Sequence, residues 1–180
     1  MKSFFAAAAL LFLIIPSIGY ADGYVVVNYG LGGSISEPSL GVELGGLFLS
    51  DLHPNRGAIS FGIAASAADT DEDPPSALPQ PVSPPAYSSL TEYKDGYEQE
   101  IGFVLGAELT TSLFGVIGIG YSTQDTVRIG TDSGQYYKVD EDTDNHATAM
   151  IGLRYVVRGL NLGLGIHSRR GIMASAGIAF

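Results

Sequence analysis

The stretch that decides the fold is residues 171–180, GIMASAGIAF. Taken two at a time, Ile172, Ala174, Ala176, Ile178 and Phe180 form one apolar row, and Met173, Ser175, Gly177 and Ala179 form a second row of mostly small groups. That spacing is the period of a β-strand, whose successive side chains point to opposite faces. A strand with no charge in it, ending on an aromatic ring, has no face that suits water. Its large row must be either buried in a core or turned toward something other than water.

Seven further segments upstream alternate in the same way: residues 24–32, 40–49, 58–67, 98–109, 115–124, 146–157 and 160–168. The clearest is 98–109, where Ile101, Phe103, Leu105, Ala107 and Leu109 oppose Glu98, Glu100, Gly102, Val104, Gly106 and Glu108. With 172–180 that makes eight strands of about 9 to 11 residues, the length a tilted strand needs to cross a hydrocarbon layer. Alternation alone would also fit a soluble sandwich, with one face in the core and the other in water. The second face separates the two. In a sandwich it is the exterior and carries charge; here Gly, Ser and Ala dominate it, and of nine basic residues only Arg154 lies well inside a segment. Glycine weakens a strand, so its repetition marks a face with little room, such as the inside of a small closed barrel.

The connections sort in the same sense. With the N-terminus on the inner side, the outer loops are 33–39, 68–96, 125–145 and the tight Arg169-Arg170 turn, and the inner ones are 50–57, 110–114 and Arg158-Gly159. Both long connections fall outside, as outer-membrane barrels require. The expected fold is therefore all-β, an eight-stranded antiparallel up-and-down transmembrane β-barrel, as one domain over residues 22–180. The segments and the terminal Phe180 resemble the small bacterial outer-membrane barrels typified by OmpX and the membrane domain of OmpA. That resemblance implies that Ile172, Ala174, Ala176, Ile178 and Phe180 are the C-terminal signal read by the barrel-assembly machinery. It also implies outer-membrane lipid and lipopolysaccharide as surroundings, and a monomer.

Residues 1–21 fit this destination. Lys2, the apolar run from Phe4 to Ile15, and Gly19-Tyr20-Ala21 follow the order of a secretory signal peptide, with cleavage expected after Ala21. The chain has no Cys, so neither a lipid-modified cleavage site nor a disulfide framework is available to it. Nine basic residues against nineteen acidic give a net charge of −10, one unit more negative once Lys2 leaves with the leader. Such acidity excludes nucleic acid as a partner, because phosphates need Lys and Arg.

Within the barrel, Glu43, Glu98, Glu100, Glu108 and Arg154 are expected to face inward as a polar network that fills the lumen. Glu108 and Arg154 each precede an inner turn by a few residues, which places them at similar depth with Glu43 somewhat above. The alternative is a narrow ion-conducting pore, although eight strands leave little space for a water column. A third reading is an enzyme that modifies lipid A, with His167 and Ser168 near the outer rim. As chain neighbours their side chains point to opposite faces, which opposes a shared proton transfer. His146 also lies near that rim. No catalytic residue, cofactor or metal is therefore expected.

Two outer loops have their own character. Asp69, Asp71, Glu72 and Asp73 precede Pro74-Pro75, Pro79, Pro81 and Pro84-Pro85, a composition that predicts a mobile projecting loop without sheet hydrogen bonds. Asp140, Glu141, Asp142 and Asp144 have the spacing of a calcium loop but lack its Gly and distal Glu, and read as a solvated acidic tip. Tyr136 and Tyr137 suggest that the flanking strands continue outward as a hairpin. The expected role is structural or in surface interaction.

Overall fold

In a computed structural model, which describes residues 22–35, 37–48, 57–80 and 86–180, nine strands form a single sheet. They are β1 (Asp22–Leu31), β2 (Ser39–Phe48), β3 (Ile59–Asp69), β4 (Leu78–Pro79), β5 (Ser89–Thr110), β6 (Leu113–Asp132), β7 (Gln135–Val157), β8 (Leu160–His167) and β9 (Gly171–Ala179). Apart from two-residue β4, every strand pairs antiparallel with its neighbours, and β7 with β8 closes the ring. The eight long strands are the eight segments expected. The leader, with its cleavage site, and the inner connection 49–56 lie outside the described residues.

The chain ends meet at the β1–β9 seam. Gly23 N–H donates to the Phe180 carbonyl at 2.6 Å and Phe180 N–H to the Gly23 carbonyl at 2.8 Å. The Phe180 ring lies over Gly23, where an added Cβ would come within 2.8 Å of it. At the opposite end of the size scale, the inner turn Arg158-Gly159 and the outer turn Ser133-Gly134 both place two successive residues at positive φ, 50° and 82° in one and 49° and 81° in the other. Two left-handed residues in a row match the twist of a two-residue hairpin, and Gly tolerates the second position without cost.

Exposure settles which way the rows face. Ile119 and Ile172 are 71% and 68% exposed on the exterior, whereas Val104 and Val116, one row inward, are 2% and 4%. Apolar residues thus ring the outside, and a surface of that kind needs lipid as its solvent. The interior is divided. Ala58, Val104, Phe114 and Val116, with Leu47, Met150 and Val156 against them, pack one wall. Polar side chains fill the rest, among them Tyr24 from β1, Glu43 from β2, Glu98 and Glu100 from β5 and Arg154 from β7. Gly45 and Gly62 make room for one of them, since an added Cβ at either would collide with Tyr24.

Three strands are much longer than a membrane requires: β5, β6 and β7 run to 22, 20 and 23 residues. The expected loop 125–145 is in fact a long hairpin, paired from Ser122↔His146 out to Asp132↔Gln135 with one bulge at Val139, between Arg128↔Asp140 and Ile129↔Lys138. The loop before Gly96 shortens in the same way, because residues from Ser89 onward belong to β5. At ~3.3 Å per residue the roughly ten extra residues carry the sheet about 30 Å beyond the barrel. The Pro-rich connection corrects the expectation of a chain without sheet bonds. Leu78–Pro79 pairs parallel with Tyr137 and Lys138, Glu72 N–H donates to the Lys94 carbonyl at 3.1 Å, and the Tyr87 and Tyr137 rings lie 6.1 Å apart. Pro offers no N–H, yet on a sheet edge it needs none facing outward, so the segment can lie along the extended sheet. Pro81, Pro84 and Pro85 lie outside the described residues.

Candidate functional site

Two groups of ionised side chains occupy the lumen. The inner one joins β1, β2 and β7. Arg154 Nη2 donates to Glu43 Oε2 at 2.7 Å, and Tyr24 Oη donates to Glu43 Oε1 at 2.6 Å. The guanidinium also stacks on the Tyr24 ring, 4.9 Å from its centroid. The Arg154 and Glu43 side chains are 3% and 1% exposed, so the pair is sealed from solvent.

The outer group is built on β5 and the turn between β8 and β9. Arg169 forks onto Glu98, with Nε to Oε1 at 2.7 Å and Nη2 to Oε2 at 2.5 Å. Arg170 Nε donates to Glu100 Oε2 at 2.8 Å. The other Glu100 oxygen takes the Thr148 hydroxyl at 2.9 Å and lies 3.0 Å from His167 Nε2. Backbone N–H groups of Arg169 and Arg170 both reach His167 Nδ1 at 3.3 Å. Nδ1 therefore accepts, the ring proton sits on Nε2, and the imidazole is a donor to Glu100. The first outer loop closes over this turn, with Ile35 N–H donating to the Arg169 carbonyl at 3.0 Å.

Three carboxylates, Glu43, Glu98 and Glu100, thus meet three guanidiniums, Arg154, Arg169 and Arg170, one for one, inside a strongly acidic chain. Glu108 has a different role. It shares a row with Phe114 and Arg154 in the strand register, but its carboxylate takes the backbone N–H groups of Ala58 at 2.9 Å and Ser112 at 3.1 Å. Phe114 stands between Glu108 and Arg154 in that row, and the carboxylate instead ties down the inner turn. Alternation placed Glu43, Glu98, Glu100 and Arg154 and turns Tyr24 inward on the row of Val26 and Asn28, though not as a partner of Glu43, and it missed Arg169 and Arg170. The two arginines sit in what reads as an exposed turn, although Arg170 is only 1% exposed. The signal for them was charge matching: two carboxylates on an inward row at the outer end of β5 had no basic partner among the strands.

Little space is left. The lumen contains voids of about 30 Å³, beside Glu100, Thr148 and Arg170, and about 20 Å³, beside Arg154 and Ser175. His167 is buried in the lumen while Ser168 is exposed, its Oγ accepting the Ala149 N–H at 3.1 Å. At the mouth a polar cavity of about 150 Å³ lies among Glu72, Lys94, Gln124, Asp144, His146 and Arg169. Asp140, Glu141, Asp142 and Asp144 are strung along β7, and among the described residues no three acidic or His side chains converge on one point.

The extended sheet has a long uncovered stretch of edge on β7. β7 pairs with β6 along its whole length, but β8 reaches only Met150–Val157 and β4 only Tyr137 and Lys138. Between them, among the described residues, the outer edge of residues 139–148 carries no strand. The opposite edge of the sheet, on β5, takes backbone bonds from Thr70 at Gly96 and from Glu72 at Lys94.

No protein-family profile and no curated protein sequence matches the chain. The fold is shared with a solved structure. Ail, the attachment invasion locus protein of Yersinia pestis, solved with the heparin analogue sucrose octasulfate, superposes with a TM-score of 0.51 at 8% identity, over 89% of this chain and 99% of that one. Neisserial surface protein A aligns over 88% of this chain and 91% of that one at 10% identity, with a TM-score of 0.37. With its closed ring of eight antiparallel strands, the chain has the fold of the small outer-membrane β-barrel proteins.

Proposed function

We propose that this is a monomeric outer-membrane barrel with a filled lumen and no catalytic chemistry, which holds an acidic strand edge outside the cell for contact with a cationic partner. The observation that carries the reading is the projection of β5, β6 and β7 past the membrane with residues 139–148 open along one side. An open edge offers backbone donors and acceptors to an incoming extended chain. Charge selects which chain. Residues 69–95 and 125–144 hold twelve acidic and three basic residues, so a polyanion such as the sulfated sugar bound by Ail is repelled, and a basic segment is attracted. The filled lumen supports a role carried by the surface. A His167 fixed between Glu100 and two backbone N–H groups, beside a void that holds no more than a water or two, supports the absence of catalysis.

Export by a cleaved leader, insertion through the assembly machinery by the row ending at Phe180, and residence beside lipopolysaccharide belong to the same proposal. The test is binding of the folded protein to an immobilised Lys-rich extended peptide, measured against ionic strength. D140K/D142K/D144K should abolish binding and leave folding intact. Unchanged affinity in that variant would remove the acidic edge from the reading.

A further inference from the structure

The two charged groups in the lumen are separated by sulfur rather than by charge. The void beside Arg170 and the void beside Arg154 share three lining residues, Asn28, Met150 and Met173. Met150 reaches inward from β7 across Gly118, where an added Cβ would lie 2.5 Å from its Cγ. Met173 stands on β9 between Gly30 of β1 and Gly165 of β8 in the strand register, so both its neighbours leave it room. On the outer side of the pair, Arg170 Nη1 and Nη2 are buried with no acceptor among the described residues. On the inner side the same holds for Arg154 Nε and Nη1 and for both polar atoms of Asn161.

Buried donors of this kind are met by ordered water, and each void has room for at least one molecule. Water at Arg170 lies one residue from the outside, since Arg169, its neighbour in the chain, lines the mouth cavity with a side chain that is 17% exposed. Toward the inner rim, Tyr24, Val26, Glu43 and Asn161 are all closed to solvent. We propose that Met150 and Met173, flanked by Asn28, are the seal of the lumen, a mainly apolar constriction that divides an outer water compartment on Arg170 from an inner one on Arg154. Such a constriction stops water by refusing to wet, and two thioethers do this without fixing any charge. The inference rests on the filled-lumen reading given above.

The absence of native Cys allows a direct test. Ser66 lines the outer void and Ser175 the inner one, so S66C and S175C place one thiol on each side of the seal. The probe is Ag⁺, close to water in size, which forms a silver thiolate and releases the thiol proton. The folded barrel in detergent is exposed to it, then unfolded, and the remaining thiol is counted by alkylation and mass spectrometry. S66C should react promptly and S175C slowly. Adding M150A/M173A should speed S175C by at least about ten-fold, equivalent to about 1.4 kcal/mol off the barrier, while M150L/M173L should leave it slow. The shift in gel mobility between unheated and boiled samples verifies folding of each variant. If S175C stays slow after both methionines are shortened, the seal lies elsewhere and the proposal fails. If S175C reacts as fast as S66C with both methionines present, the filled-lumen reading itself fails. Opening of S175C by R154M alone would assign the block to the ion pair instead and overturn the proposal.

Discussion

Removing the Arg154 guanidinium while keeping its bulk, as in Arg154→Met, leaves the Glu43 carboxylate with a single donor, the Tyr24 hydroxyl. Both side chains are almost wholly enclosed, so the discount that applies to exposed ion pairs does not apply here. Stranding one partner of a buried pair costs about 3 to 5 kcal/mol, whereas replacing both with uncharged groups of similar volume is often neutral. Arg154→Met and Glu43→Gln should therefore each lower stability by about 3 kcal/mol or more, roughly a hundred-fold in the folding equilibrium. The double variant should return to within about 1 kcal/mol of the parent, giving a coupling of several kcal/mol. The chain has no Trp, so urea unfolding in detergent micelles is best followed by far-ultraviolet circular dichroism and by the mobility of the unheated gel band. Additive losses in the double variant, or single losses below about 1 kcal/mol, would show that the two groups do not act as a sealed pair and would refute the burial argument.

Tyr24→Phe keeps the ring under the guanidinium but removes the hydroxyl from Glu43, and should cost about 1.5 to 3 kcal/mol in the same unfolding assay. Gly62→Ala places a methyl against Tyr24 and Glu43, and overpacking of about 1 to 3 kcal/mol is expected, relieved when combined with Tyr24→Ala. Replacing residues 126–142 with a two-residue Asn-Gly turn between Asp125 and Thr143, which already pair, should leave the gel-mobility shift intact and abolish binding to the Lys-rich peptide. Loss of the folded band in that variant would mean that the projecting sheet supports the barrel rather than riding on it.

The barrel was legible because lipid imposes a strict rule on one face. From Ile101 to Leu109 and from Ile172 to Phe180, every second residue has to be apolar, and the strand count follows from that rhythm. Beyond the membrane the rule lapses. Residues 125–145 mix Asp, Thr, Val and Tyr on both faces, and the strand there is held by its partner strand and the Ser133-Gly134 turn rather than by a solvent contrast. The interior was half legible for a related reason. Parity reports which way Glu43 or Glu100 points, but not how far a long side chain reaches. Arg169 and Arg170 enter the lumen from a turn, where parity has no meaning, and Glu108 bends to backbone donors beside it.

The bonds between Gly23 and Phe180 make the beginning of the described chain and its end adjacent in space. Because β1 and β8 both pair with β9, the ring cannot close until that strand is in place. A product broken off before Gly171 would expose raw margins on both β1 and β8 at once, an open ribbon prone to stick to its own kind.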